Sequence, residues 1–174
     1  KLYPMSHDVD VLGDTAFQQF REGNLPFLPP VIGAFKEVLN RNSISVRDKE
    51  IVIIGEGRLV GAPAAVWLES VGGQCTIANK ETENLKELTE KADILISGTG
   101  VPGLVQPDMV KEGVVILDAG SGEMAGVVKG DVDPACESKA ALFTPTPGGI
   151  GPITIAKVFE NLLSLYEIRH KNNK

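Results

Sequence analysis

Short apolar runs recur along this chain, and each gives way to a glycine or a polar turn. The clearest run is Ile51, Val52, Ile53 and Ile54, within a first core strand expected over 50–55. Segments 74–78, 93–97, Val114–Asp118 and 142–144 repeat the pattern. Runs of this length, rich in β-branched residues, read as strands buried on both faces. Between them, apolar residues recur at three- and four-residue intervals, the helical period. Val31, Phe35, Val38 and Leu39 share one helix face, with a stop at Asn40-Arg41-Asn42. Val60, Ala64, Trp67, Leu68 and Val71 share another. Pro63 falls in its first turns, where a missing N–H costs little, and Gly72-Gly73 ends it. A short helix over 83–90 turns Leu85 and Leu88 inward; 106–111 reads as a helical turn, and Val127–Lys129 as half of a small hairpin. Strands alternating with helices predict an α/β fold, a doubly wound parallel sheet with helices on both faces.

The pattern also divides the chain. Residues 1–30 hold Pro4, Pro26, Pro29 and Pro30 and only one short helix-like piece, at 15–21. They read as a lead-in or linker that packs on a neighbour. Residues 31–170 form the domain, and 171–174 a frayed, solvated tail. In the terminal helix, Ile155, Val158, Phe159, Leu162, Leu163 and Tyr166 fall on one side. Two readings stand for that stripe: packing on its own sheet, or docking against a partner domain or subunit.

Composition narrows the function. The 174 residues suit one ordinary domain that buries a core without staples. A net charge of −6 argues against a nucleic-acid footprint. No apolar stretch reaches membrane-spanning length, and no basic-then-apolar signal opens the chain. Cys75 and Cys136 lack metal-ligand spacing and read as thiols in a reducing cytoplasm. With only His7 and His170, neither a zinc site nor a serine triad is easy to build. The chain opens on Lys1 rather than methionine, which suggests a piece of something longer.

Chemistry concentrates in the turns after the strands. The first strand runs into Gly55-Glu56-Gly57-Arg58-Leu59-Val60-Gly61, a glycine-spaced turn leading straight into a helix. Such a turn brings backbone amides and a helix N-terminus up to a pyrophosphate, which makes the sheet Rossmann-like. Its spacing, G-x-G-x-x-x-G, is one residue longer than the common fingerprint. Gly98-Thr99-Gly100 follows the third strand and Asp118-Ala119-Gly120 the fourth. Turns in register at the carboxyl ends of strands imply a backbone-lined crevice. After the second strand, Lys80 argues for the 2′-phosphate of NADP, whereas Glu56 would repel a phosphate if it faced the site. The segment 145–154 holds three prolines and three glycines in ten residues, a stiff loop opening into a helix. Free amides there, with Gly151 and the Thr154 hydroxyl, can meet an anion or the polar edge of a cofactor.

These stretches resemble the NAD(P)-binding domain of the bifunctional methylenetetrahydrofolate dehydrogenase/cyclohydrolase family. The matching text is DVD at 8–10, VIIGEGRLVGAP at 52–63, ADILISGTGVPGLVQPDMVKEGVVILDAG at 92–120, GDVD at 130–133 and PTPGGIGPIT at 145–154. The resemblance implies NAD or NADP as cofactor and hydride transfer from 5,10-methylenetetrahydrofolate. It further implies hydrolysis of the methenyl product to 10-formyltetrahydrofolate. A separate N-terminal domain would carry the catalytic lysine and most contacts to the tetrahydrofolate substrate. From the folate site only Asp10 carries over, matching an aspartate that grips the pterin ring. A homodimer through the hairpin near 122–130 is also implied.

Departures from the family pattern are specific. Glu56-Gly57 stands where an Arg-Ser pair is usual, and that arginine is the implied 2′-phosphate ligand. Asn79-Lys80 replaces a His-Ser pair, Pro30-Val31-Ile32 a Cys-Thr-Pro turn, Ser121-Gly122 an Ile-Asn pair, and Val11 a glycine. NAD and NADP both stay open. No residue of the chain reads as an acid–base catalyst, so a nucleotide-binding module without catalysis, or a structural subunit, stands beside the enzyme reading.

Overall fold

The computed structural model describes residues 7–171. Helices α1 (Asp14–Arg21) and α2 (Pro30–Arg41) lead into strand β1 (Ile51–Ile54), then α3 (Gly61–Ser70), β2 (Cys75–Ala78), α4 (Leu85–Thr89) and β3 (Ile94–Ser97). After them come β4 (Val114–Asp118), β5 (Gly122–Met124), β6 (Val127–Lys129), β7 (Ala140–Thr144) and α5 (Ile150–Lys171). Five strands form one sheet in the order β2-β1-β3-β4-β7, every pair parallel. The antiparallel pair β5-β6 stands apart as the expected hairpin.

Alternation along the central strands sorts the core into two layers. Ile51, Ile53, Ile94, Ile96, Val115 and Leu117 face the side covered by α1, α2 and α3. Val52, Ile54, Leu95, Val114 and Ile116 face the other, where Leu85 and Leu88 of α4 pack as expected. Strands β1, β3 and β4 are buried throughout, which explains their unbroken apolar runs. The second layer is thin. The turn expected over 106–111 is only a 3₁₀ turn at Pro107–Met109, and an unanticipated one covers Pro134–Ser138, capped by the Asp133 carboxylate accepting from Ala135 N at 2.8 Å. Segments this short carry no periodic signal.

One expectation needs correction, and one of two open readings is ruled out. Within the described residues, the lead-in packs on this domain itself: Val11, Ala16, Phe17 and Phe20 are buried in the first core layer. In α5, the stripe does not pack on the sheet. Phe159 is 63% exposed, and Ile155, Leu162, Leu163 and Tyr166 are also exposed. Ile150 and Ile153 in the first turn join the core, after which α5 runs over α2. The Lys157 stem lies against Gly33, and its ammonium reaches Glu37 at 3.3 Å and Glu160 at 2.9 Å. Buried Asn161 donates to the carbonyls of Val9 and Leu28, both at 2.9 Å, tying the lead-in to the last helix. Lys171 closes α5, and the rest of the expected tail, 172–174, lies outside the described residues.

Candidate functional site

The sheet order sets the place. From β1 the chain moves outward to β2, then returns past β1 to β3. Connections thus leave the two sides of β1 in opposite senses, and a ligand crevice opens there, outside the carboxyl ends of the strands. Gly55 caps β1 with φ +94, and its amide donates to Ala78 O at 2.8 Å. Gly98, after β3, donates to Ile54 O at 3.1 Å. A Cβ on Gly61 would fall on the Gly55 carbonyl, so only glycine lets α3 start this close to the turn. Among the described residues, the amides of Glu56, Gly57 and Arg58 donate to no backbone carbonyl. These donors lie in the glycine turn just before α3, and successive free backbone amides of a turn suit the pyrophosphate of a dinucleotide.

Beside this turn lies a cavity of about 520 Å³. It gathers Asp10, Leu59, Val60, Asp118, Gly120, Gly151 and Thr154 from the sequence-predicted set. Gly55, Glu56, Gly57 and Gly61 build the adjoining turn, and Thr99 and Gly100 the one after β3. The Thr154 hydroxyl is already used, donating to Ile150 O at 3.0 Å, so it meets a ligand as an acceptor. Arg58 is held elsewhere. Its guanidinium stacks 4.1 Å over the Phe17 ring, donates to Leu12 O at 3.1 Å and sits 3.4 Å from Asp14. Lys80 lies outside the cavity, exposed at the end of β2.

A buried acidic clamp shapes the crevice floor. Asp131 Oδ2 accepts from the Ser97 hydroxyl at 2.7 Å and from Thr99 N at 2.6 Å, which fixes the turn after β3. Asp118 accepts from Gly120 N at 3.0 Å, Asp131 N at 3.3 Å and Val132 N at 3.1 Å. Gly120 lies against the Asp131 carboxyl and Gly130 against that of Asp118, so a side chain at either would collide. Burial, with the nearby Asp131 charge adding to it, pushes the Asp118 carboxyl up to about 6. Its oxygens are taken by backbone amides, which makes it a brace rather than a proton carrier.

Sequence reasoning gave Asp131 no role, although it lies in the GDVD run; nothing local shows that its side chain reaches Thr99, 32 residues away. Pro29, Pro30 and Val31 also line the cavity, as do Ser121 and Pro147. For Pro30, Val31 and Ser121 the signal was positional, since 30–32 and 121–122 are two places where the family pattern changes, and Pro147 lies in the stiff 145–154 loop.

Fold and crevice together define an α/β, Rossmann-like NAD(P)-binding domain. Residues 29–170 match the family described as "Tetrahydrofolate dehydrogenase/cyclohydrolase, NAD(P)-binding domain". This chain belongs to that family. It is 36% identical over 167 residues to the bifunctional protein FolD of Hydrogenobaculum sp., covering 94% of this chain and 60% of that protein. The crystal structure of the Campylobacter jejuni FolD enzyme superposes with a TM-score of 0.87 at 34% identity, over 92% of this chain and 58% of that one. The Trypanosoma brucei FolD, solved with NADP and an inhibitor, gives 0.88 at 28% identity, over 95% and 60%. The chain thus spans about 60% of the length of such relatives.

Proposed function

We propose that this chain is the cofactor-binding part of a methylenetetrahydrofolate dehydrogenase/cyclohydrolase, presenting NAD or NADP to a folate held largely by another domain. One observation carries the reading: the amide-lined turn after β1 adjoins, through Leu59 and Val60, a cavity of about 520 Å³ that Asp10 borders. The turn takes the pyrophosphate, and the cavity takes the nicotinamide and the reacting end of the folate. When bound, the nicotinamide accepts a hydride from the methylene carbon of 5,10-methylenetetrahydrofolate. The chain's own residues bind and aim. Amides of residues 56–58 hold charge, Leu59, Pro147 and Ile155 exclude water, and exposed Asp10 accepts from pterin N–H groups.

The acid–base group of the cyclohydrolase step comes from the other domain, since Asp118 is committed to the backbone. The exposed stripe of α5 docks that domain, because soluble surfaces rarely leave so long an apolar face uncovered. Exposed Met124, Val127 and Val128 on the hairpin pair two copies.

The test is spectrophotometric. The full-length gene product, given 5,10-methylenetetrahydrofolate and either nucleotide, should accumulate reduced nicotinamide. Asp10→Ala should raise KM for the folate and leave nucleotide affinity unchanged. Nucleotide binding without reduction would leave the non-catalytic module as the answer, and an absence of binding would end the crevice assignment.

A further inference from the structure

We infer that Glu56 makes this crevice select a dinucleotide with a free ribose 2′-hydroxyl, NAD over NADP. The inference rests on the dinucleotide reading above. In nucleotide-binding βαβ units the adenosine ribose lies beyond the pyrophosphate turn, over the end of the second strand. An acid there accepts from the 2′-hydroxyl, and a cation accommodates a 2′-phosphate.

Here the end of β2 carries an amide, Asn79, and the acid arrives from the neighbouring strand. Asn79 Nδ2 donates to Glu56 Oε1 in a weak hydrogen bond of 3.4 Å. The amide is oriented by its own turn: Asn79 Oδ1 accepts from Glu81 N at 2.9 Å, and Asn79 N donates to the Thr82 hydroxyl at 3.0 Å. Nδ2 is therefore the edge left to face β1, and it draws the Glu56 carboxylate across the gap between the two strand ends. That carboxylate occupies the place a 2′-substituent enters. One oxygen is held by Asn79, leaving the other for a ribose hydroxyl.

Cations that could reverse this are out of position. Arg58, two residues on, is spent on Phe17, Leu12 and Asp14. Lys80 is exposed and makes no side-chain hydrogen bond or ion pair among the described residues. An ammonium on a flexible stem offers only a strongly hydrated point charge, with no fixed fork to hold a phosphate. A 2′-phosphate would set nearly two negative charges beside Glu56, and even at a wet surface that repulsion is worth about tenfold in affinity.

Calorimetric titration of the chain with NAD+ and NADP+ at low salt tests this, on the wild type and on Glu56→Gln and Lys80→Ala, each first checked for an unchanged melting temperature. NAD+ should bind the wild type about tenfold tighter or more. Glu56→Gln should close most of that gap by tightening NADP+, and Lys80→Ala should keep the preference for NAD+. Added salt should narrow the gap in the wild type but hardly in Glu56→Gln, because exposed charges are screened within a Debye length. A wild type that favours NADP+, or a ratio unmoved in Glu56→Gln, overturns the assignment. If neither nucleotide binds, the dinucleotide site itself is refuted and this inference with it, a result distinct from a wrong preference.

Discussion

Val11 stands where the family pattern has glycine, yet its backbone keeps the left-handed conformation, with φ 58. Strain of this kind costs about 1–3 kcal/mol and persists only when neighbours over-determine it. They do here: Asp8 Oδ1 accepts from Leu12 N at 3.0 Å and Oδ2 from Gly13 N at 2.7 Å. The Val11 side chain is 2% exposed, and burying a valine returns about 1.5–3 kcal/mol. Glycine also raises the entropy of the unfolded chain. Val11→Gly should therefore destabilise by about 1 kcal/mol in urea titrations, and a gain in stability would show that strain outweighs burial. Asp118 makes a pH prediction. Its folded carboxyl, at about 6, binds a proton that the unfolded chain releases near about 4. Its contribution is thus fully present below about pH 4 and is lost as pH rises through about 6. The swing is about 2–3 kcal/mol. Urea titrations across this range should show wild-type stability falling relative to Asp118→Asn as pH rises; a constant difference would mean Asp118 ionises normally. The sequence showed the glycine replaced and the aspartate after β4. It could not show that one keeps a left-handed φ or that the other is sealed under three amides.

Helix α5 shows what an element's pattern can and cannot say. The 3.6-residue period placed Ile155, Phe159, Leu162 and Tyr166 on one side, which is correct. It left open whether the sheet or a partner covers them, and the structure leaves them exposed while the opposite side lies on α2. The two sides should respond differently to mutation. Phe159→Ser should change the stability of this chain by less than about 0.5 kcal/mol, as exposed sites do. Asn161→Ala should cost about 1–3 kcal/mol, because the carbonyls of Val9 and Leu28 lose their donor. Thermal melts of both variants check this; equal losses would mean that the stripe packs within the domain. The sheet strands were legible to within two residues, with Val114–Asp118 matched in full, since a buried run between glycines has few other readings, whereas Gly122–Met124 was not read as a strand. The 3₁₀ turns at Pro107–Met109 and Pro134–Ser138 were not, being shorter than any period.

For the whole molecule, nucleotide binding and folding are linked. A ligand that binds only the folded chain stabilises it by about 2.7 kcal/mol at a hundred times Kd. For a domain of this size that raises Tm by on the order of 5–10 °C. Differential scanning calorimetry with and without saturating NAD+ should show this shift, and an unchanged Tm would mean that the crevice does not take the nucleotide. The sequence by itself determined the strands, the glycine turn after β1 and the sheet class, because strand runs and tight turns follow from side-chain size and φ/ψ limits over a few residues, and its motifs carried the resemblance to the family. Only the tertiary structure decided that the lead-in joins the core, that Arg58 is drawn to Leu12 and that Glu56 meets Asn79. These partners lie 46 and 23 residues apart, and whether they touch depends on how the layers pack, which no local pattern encodes.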